Sequence, residues 1–310
     1  MPPAEQAVIF PHEGEQLLGI LHRGAADARL GVLVVVGGPQ YRVGSHRQFL
    51  LLARDLAAEG VPVFRFDYRG MGDSSGNMRG FEDIEGDIGA AIDQFQRHHP
   101  GLEQIVIWGL CDAASAGLLY AWRDPRVTGL VLVNPWIRTE EGLARAYLKS
   151  YYLQRLTSRD FWTSLATGRV NPANSVRSLL QMTRKATASR HPDKARKTPA
   201  AQGEQAAAPS HLPRRARQPL PERMAESWQR FRGPILLVLS GQDLTATEFL
   251  DTANRSPAWR GLLERPNLQV KPLPEANHTF SRDEWRTQVS DWTLAWLENP
   301  TTHHRRTATP

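Results

Sequence analysis

The chain has 310 residues, enough for one large domain with an insertion, and its single cysteine excludes disulfides within the chain. Its composition, 41% hydrophobic and 23% charged, is that of a globular protein, and it contains no apolar run of about 18 residues that would predict a membrane-spanning helix. The net charge of +6 comes from one stretch, with nine basic and two acidic residues between Arg184 and Arg217, so the charge argues against nucleic acid as a partner of the fold.

Strand-like and helix-like patterns alternate over the first 133 residues. The clearest strand is the continuous β-branched run Gly31–Val36, a type that is buried in parallel sheets. Strands are predicted at 15–21, 31–36, 61–66, 104–108 and 128–133, and helices at 45–59, 81–97 and 111–122. Strands that alternate with helices of this length indicate βαβ units and a mostly parallel, doubly wound α/β sheet.

The alternation stops after Trp136 and resumes with strands at 234–240 and 268–273 and a helix at 282–297. We therefore predict a core formed by residues 1–136 and 234–298. A helical cap, residues 137–233, would be inserted between the strands at 128–133 and 234–240, which are numbered 6 and 7. At that position it can cover a ligand crevice. Within the cap, residues 184–218 are rich in Ala, Pro, Lys and Arg and are predicted to be flexible, and the tail 299–310 is predicted to be disordered.

The segment that points to chemistry runs from an apolar strand through Gly109-Leu-Cys111-Asp-Ala113 into a helix. This is the arrangement of a nucleophile elbow, with cysteine in place of the usual serine and Ala113 in place of the second glycine. Such a turn is strained, so its neighbours must be small, and the amides at the start of the helix favour a thiolate. The alternatives are a buried structural cysteine, and a nucleophilic Ser115 one helical turn further on.

A cysteine nucleophile needs a base and a carboxylate that orients the base, and this fold class has the chain order nucleophile, acid, histidine. Asp243 and His278 each follow a predicted strand, so both are expected at the sheet edge that holds Cys111. Asp243 would fix the imidazole tautomer and stabilise its charged form. The alternatives are a helix-capping Asp243, a solvated His278, and Glu275 or Asp251 as the carboxylate.

Acyl transfer also needs backbone donors for the oxyanion. The first predicted donor is the N–H of Asp112, the residue after the nucleophile. The second lies in the loop after the strand at 31–36, where Pro39 has no N–H; Gly38 is predicted and Gln40 is the alternative. A simple turn at Gly37-Gly38-Pro39 is the structural interpretation.

These motifs resemble the α/β-hydrolase superfamily, whose Asp-x-Arg-Gly-x-Gly-x-Ser stretch is matched at 67–74. More narrowly, residues 37–49, 109–115 and 132–138 resemble the exosortase A system-associated hydrolase type 1 family, which accompanies bacterial exosortase and exopolysaccharide gene clusters. The resemblance covers about residues 5–180 and 220–298. It implies a cytoplasmic hydrolase with no cofactor, and it supplies no substrate.

The sequence thus predicts a hydrolase of an ester, thioester or related acyl bond, with Cys111, His278 and Asp243 as its triad and a small-molecule or acyl substrate. We expect no metal, no nucleic acid and no stable membrane insertion, and the oligomeric state stays open. One alternative is an acyltransferase that uses the same cysteine. Another is a catalytically silent binding protein with the same fold. The basic stretch could dock on acidic surfaces or be a solvated linker.

Overall fold

The computed structural model describes residues 5–38, 40–137 and 218–299. All of these residues belong to one compact unit of the chain. Most of the predicted cap and of its basic stretch, residues 138–217, and the tail from residue 300 lie outside the described residues.

An eight-stranded sheet forms the centre of the described unit, in the order β1-β2-β4-β3-β5-β6-β7-β8. Strands β1, β2 and β4 pair antiparallel, and all the other neighbouring pairs are parallel. The strands are β1 (Glu5–His12), β2 (Glu15–His22), β3 (Leu30–Val35), β4 (Val63–Asp67), β5 (Gln104–Leu110), β6 (Val127–Val133), β7 (Ile235–Gln242) and β8 (Leu268–Asn277). The predicted, mostly parallel sheet is confirmed.

Helices cover both faces of this sheet. The α-helices within the described residues are α1 (Gln48–Ala58), α2 (Glu85–His98), α3 (Asp112–Ala121), α4 (Leu220–Arg230), α5 (Leu244–Arg255) and α6 (Asp283–Leu297). Helices α1 and α6 contribute Phe49 and Trp296 to the core on one face. Helices α2, α3, α4 and α5 contribute Phe95, Leu118, Trp228 and Phe249, respectively, to the core on the other face. The central strands are therefore buried on both sides.

The central strand β5 shows how the sequence produces this double burial. Ile105 and Ile107 belong to the core on one face, while Val106, Trp108 and Leu110 belong to the core on the other. Side chains of a strand alternate between the two faces, so a strand inside two helical layers needs apolar residues at every position. At about 25 cal/mol per Å² of buried apolar surface, such strands are a main source of the fold's stability.

Two elements were missed by the sequence patterns. Strand β1 forms the antiparallel edge of the sheet, and α5 begins directly after Asp243. Helix α4, whose residues the patterns place in the cap, packs against α3, and its Met224 and Trp228 are buried in the core. Among the described residues, no helix combines the length and apolarity that crossing a bilayer requires.

Candidate active site

Cys111 lies at the bend between β5 and α3. Its backbone has φ 64° and ψ −125°, a region that residues other than glycine rarely adopt. The strain is held by two backbone hydrogen bonds: the Cys111 N–H donates to Val133 O (2.9 Å), and the Trp136 N–H donates to Cys111 O (3.1 Å). The bend thus fixes the sulfur at the carboxyl end of the central strands.

Gly109 allows the strand and the helix to approach each other at this bend. A Cβ atom at position 109 would lie 2.6 Å from the carbonyl carbon of Ala113 and 2.7 Å from its oxygen. These are backbone atoms that cannot turn aside, so no larger residue fits there. Ala113 itself is fully buried. The small residues that flank Cys111 therefore have a direct steric reason.

The structure brings His278 and Asp243 together. His278 Nδ1 lies 2.8 Å from Asp243 Oδ2. The other oxygen, Oδ1, accepts the Thr245 N–H at 2.9 Å, so Asp243 also caps α5. The sequence left a capping role and a histidine-orienting role as alternatives, and the two carboxylate oxygens fill both.

The Cys111 side chain also interacts with the His278 ring and is the second cause, after Asp243, of the raised pKa of this histidine. Since Nδ1 is bound to Asp243, Nε2 is the ring nitrogen available to the sulfur. The hydrogen bond that the Asp243 carboxylate accepts, followed by the interaction with Cys111, raises the pKa of His278 from 6.5 to about 10. The imidazolium is therefore the form present at neutral pH.

Close packing of β7 against β8 sets the distance between the two loops that carry Asp243 and His278. A Cβ atom at Gly241 would lie 2.3 Å from the Pro274 oxygen, so glycine is needed for this approach. The loop after β8 is held by Asn277, whose side-chain amide donates to Ser281 Oγ (2.8 Å) and whose oxygen accepts the Ser281 N–H (3.1 Å). Together these contacts fix where the imidazole stands.

Asn134 is a positioning residue that the sequence patterns missed. It is buried with a φ of 45°, and its side chain forms two hydrogen bonds with Ser240, one from Nδ2 to Oγ (2.9 Å) and one from the Ser240 N–H to Oδ1 (2.8 Å). These bonds tie the end of β6 to the end of β7 beside the elbow. The motif Leu-Val-Asn-Pro-Trp contained the signal, since asparagine tolerates positive φ.

The two residues predicted for the oxyanion site contact each other. The Gly38 N–H donates to Asp112 Oδ2 at 2.9 Å, and the backbone amides of Ala113 and of Asp112 itself also stabilise this carboxylate. Burial raises the pKa of Asp112 above its ordinary value, while these amides and His278 act in the opposite direction. The side chain of Gln40, the alternative donor residue, accepts the Ser45 N–H at 3.2 Å.

Ser115, the alternative nucleophile, is fully buried inside α3. Its hydroxyl donates to the Trp136 carbonyl oxygen at 2.6 Å, which is a packing role.

In the part of the chain that the structure describes, no group of three or more His, Cys, Asp or Glu side chains is placed to hold a metal ion.

Residues 30–248 of the chain match the family described as serine aminopeptidase, S33. A comparison with curated proteins finds no match. The description names a serine enzyme, whereas the elbow position of this chain holds Cys111.

Several solved structures are similar to the chain. The Pyrococcus furiosus esterase Pf2001 has a TM-score of 0.58 at 14% identity, covering 95% of this chain and 94% of that one. Est1E from Butyrivibrio proteoclasticus, solved with ferulic acid bound, has 0.59 at 13%, covering 94% and 100%. The thioesterase domain from the curacin biosynthetic pathway has 0.52 at 18%, covering 94% and 99%. At these identities the likeness shows the fold, and the predicted α/β-hydrolase fold is confirmed.

Proposed function

The chain belongs to the serine aminopeptidase S33 family of α/β-hydrolases, and from that premise we propose that it hydrolyses ester or thioester bonds. In this proposal Cys111 is the nucleophile, His278 carries the proton and Asp243 is the carboxylate that orients His278. One observation carries the proposal. Asp243 is hydrogen-bonded to His278, and the His278 ring in turn interacts with the side chain of a cysteine held in a strained turn between a strand and a helix. This is the arrangement that activates a nucleophile in acyl transfer.

In the proposed reaction the sulfur attacks the acyl carbon as a thiolate beside the imidazolium. The carbon–sulfur bond forms as the carbonyl electron pair moves onto the oxygen, and the tetrahedral intermediate then expels the alcohol or thiol of the substrate. His278 gives its proton to that leaving group. Water, deprotonated by the now neutral His278, next attacks the acyl-cysteine; the carbon–sulfur bond breaks, which releases the acid and restores the thiolate beside the imidazolium.

The developing oxyanion requires backbone donors, and the proposed donors are the N–H groups of Asp112 and Gly38. One such donor contributes on the order of 3–4 kcal/mol to transition-state stabilisation. The Gly38 N–H donates to the Asp112 carboxylate, so the reaction needs that side chain to move.

We also propose that the protein acts in the bacterial cytoplasm with an exosortase and exopolysaccharide system. The support is the resemblance of residues 37–49, 109–115 and 132–138 to the exosortase A system-associated type 1 hydrolases. The resemblance names no acyl group, so the substrate class stays that of acyl esters and thioesters.

The test is to ask which residue becomes acylated. The protein is incubated with p-nitrophenyl acetate, quenched and digested, and the acetylated peptide is identified by mass spectrometry. Because Cys111 is the only cysteine, a thioester label has one possible position. We expect acetyl on Cys111 in the wild type and none in Cys111→Ala. His278→Ala should lower the rate about 100-fold or more, the usual range for an acid–base residue.

His98→Ala is the control at another histidine: the His98 ring lies 2.9 Å from the Gln94 carbonyl within α2 and has no role in the proposed triad, so this variant should react like the wild type. If Cys111→Ala and His278→Ala both turn over substrate at the wild-type rate, the proposal is rejected and the catalytically silent binding protein is favoured. An acyltransferase would be recognised by its products. In the presence of an added alcohol or amine, the ester or amide of that acceptor would form faster than the free acid.

A further inference from the structure

The anion that fills the predicted oxyanion site is a side chain of the protein itself. The Gly38 N–H, one of the two amides predicted as oxyanion donors, donates a hydrogen bond to the Asp112 carboxylate. Gly38 lies 74 residues away in the sequence, so this contact joins the loop after β3 to the start of α3. The carboxylate therefore lies where two separate parts of the chain would otherwise bind a substrate oxygen.

The surroundings of Asp112 are shaped to hold the carboxylate in this inward position. A Cβ atom on Gly37 would lie 2.1 Å from Asp112 Oδ1, so only glycine leaves room for the side chain. Oδ1 is buried and has no hydrogen-bond partner within the described part of the chain. Acidic residues in the first turn of a helix usually interact with its amides at the surface. The Asp112 carboxylate points inward although one of its oxygens has no hydrogen-bond partner within the described residues. This arrangement is expected where the site binds a different group during the reaction.

We propose that the Asp112 carboxylate competes with the substrate's carbonyl oxygen for the Gly38 amide and thereby controls acylation of Cys111. This inference rests on the proposed function. In the inward position the carboxylate removes the donor and places a negative charge where the oxyanion must form. Acylation begins only after the side chain has turned away, which frees the Gly38 N–H for the substrate oxygen. Asp112 then acts as a residue that selects acyl donors able to displace it.

Two reactions of the same sulfur separate this effect from any change in the thiolate. Acetylation by p-nitrophenyl acetate forms an oxyanion, in which the carbonyl electron pair moves onto oxygen. Alkylation by iodoacetamide forms a carbon–sulfur bond and expels iodide, and no oxyanion arises. Any change in thiolate population alters both rates, whereas access to the Gly38 amide alters only acetylation. The ratio of the two rate constants is therefore the quantity to measure.

We expect Asp112→Ala to raise the ratio of acetylation to alkylation by about tenfold to a hundredfold, the range for a freed hydrogen bond to a charged group. Asp112→Asn keeps the shape of the side chain but not its charge. Its amide oxygen still accepts from Gly38, so the ratio should rise less. Asp27→Ala removes an exposed carboxylate in the turn before β3 and is the matched control, with an unchanged ratio expected.

A higher ratio in Asp112→Ala but not in Asp27→Ala supports the proposal. If Asp112→Ala does not fold, as judged by circular dichroism, the Asp112→Asn ratio decides in the same way. An unchanged or lower ratio, with Cys111 still acetylated, overturns the role of Asp112 and leaves the proposed function standing. Alkylation of Cys111 with no acetylation in any of these proteins overturns both.

Discussion

The hydrogen bond between Asp243 and His278 can be removed without removing the helix cap that the same side chain provides. Asp243 Oδ2 contacts His278 Nδ1 at 2.8 Å, while Oδ1 accepts the Thr245 N–H at 2.9 Å. Asparagine caps helices about as well as aspartate. In Asp243→Asn the amide oxygen can therefore keep the cap, and the NH₂ group then faces the ring, where it cannot accept a proton from Nδ1.

The expected magnitude follows from the loss of one charge-assisted bond. Such a bond contributes about 1.5–3 kcal/mol, which corresponds to about one to two pKa units. The pKa of His278, raised to about 10 with this bond as the largest cause, should therefore fall by about that amount. The ring also loses its orientation, and the equivalent change in a serine protease triad costs about 10⁴-fold in turnover. We expect acetylation of Cys111 to slow by about 100-fold or more.

Three measurements on Asp243→Asn test this reasoning. NMR titration of the His278 ring gives the pKa, reaction with p-nitrophenyl acetate gives the acylation rate, and urea unfolding gives the stability. Asp243→Ala is the comparison, since it loses the cap as well and should cost about 1 kcal/mol more in stability. If Asp243→Asn acetylates within twofold of the wild-type rate and His278 titrates as before, the orienting role of Asp243 is wrong.

The remaining predictions concern pH and packing. The pKa of His278 in the folded protein is about 10, which lies above its ordinary value of 6.5. Protonation of His278 therefore favours the folded state. This stabilisation is complete below about pH 6.5 and is lost as the pH rises through 10. Urea unfolding should therefore show that His278→Gln costs more free energy of unfolding at pH 6 than above pH 10, and an equal cost at both would contradict the pKa. In Gly109→Ala the new Cβ would press on the Ala113 backbone at 2.6 Å, which should destabilise the protein by about 3 kcal/mol in the same assay. In Gly101→Ala the new Cβ would lie 3.4 Å from the Ala28 oxygen and 3.9 Å from His99 Nδ1, which are ordinary contact distances, so stability should change by less than about 0.5 kcal/mol. Similar losses in both variants would refute the steric argument.

The parallel part of the sheet could be predicted because its strands are buried on both faces. Residues 31–36 and 105–108 are continuous apolar runs, and the structure has β3 and β5 at these positions. The elbow was equally legible, since it joins such a run to a helix through small residues at fixed spacing. Short-range patterns are sufficient here, because each residue's environment depends on its own strand and the helices beside it.

The edges of the sheet were harder to predict, because proline interrupts their patterns. Strand β1 contains Pro11, and β8 continues through Pro272 and Pro274 to Asn277, well past the predicted end at residue 273. Both strands are edge strands, where the missing N–H of proline leaves no central hydrogen bond unmade. In the sequence, proline predicts the end of a strand. At the edge of a sheet, however, a strand can continue through proline.

The side-chain environment of Asp112 could not be read from the sequence. The elbow pattern identifies its backbone N–H as an oxyanion donor but says nothing of its carboxylate. The carboxylate's position depends on Gly37 and Gly38, which approach through the packing of β3 against β5. A Gly-Gly-Pro turn is consistent with many partners, and only the assembled sheet selects this one.

In the proposed reaction, cysteine allows the histidine to work in its protonated form. A serine hydroxyl needs a neutral imidazole as its general base at the working pH. Here Asp243 and then Cys111 raise the pKa of His278 to about 10, so at neutral pH the ring already carries its proton. A thiolate needs no base at the moment of attack, and the protonated ring then supplies the proton that the leaving group needs. The cysteine at the elbow and the strong bond between Asp243 and His278 are thus two parts of one mechanism.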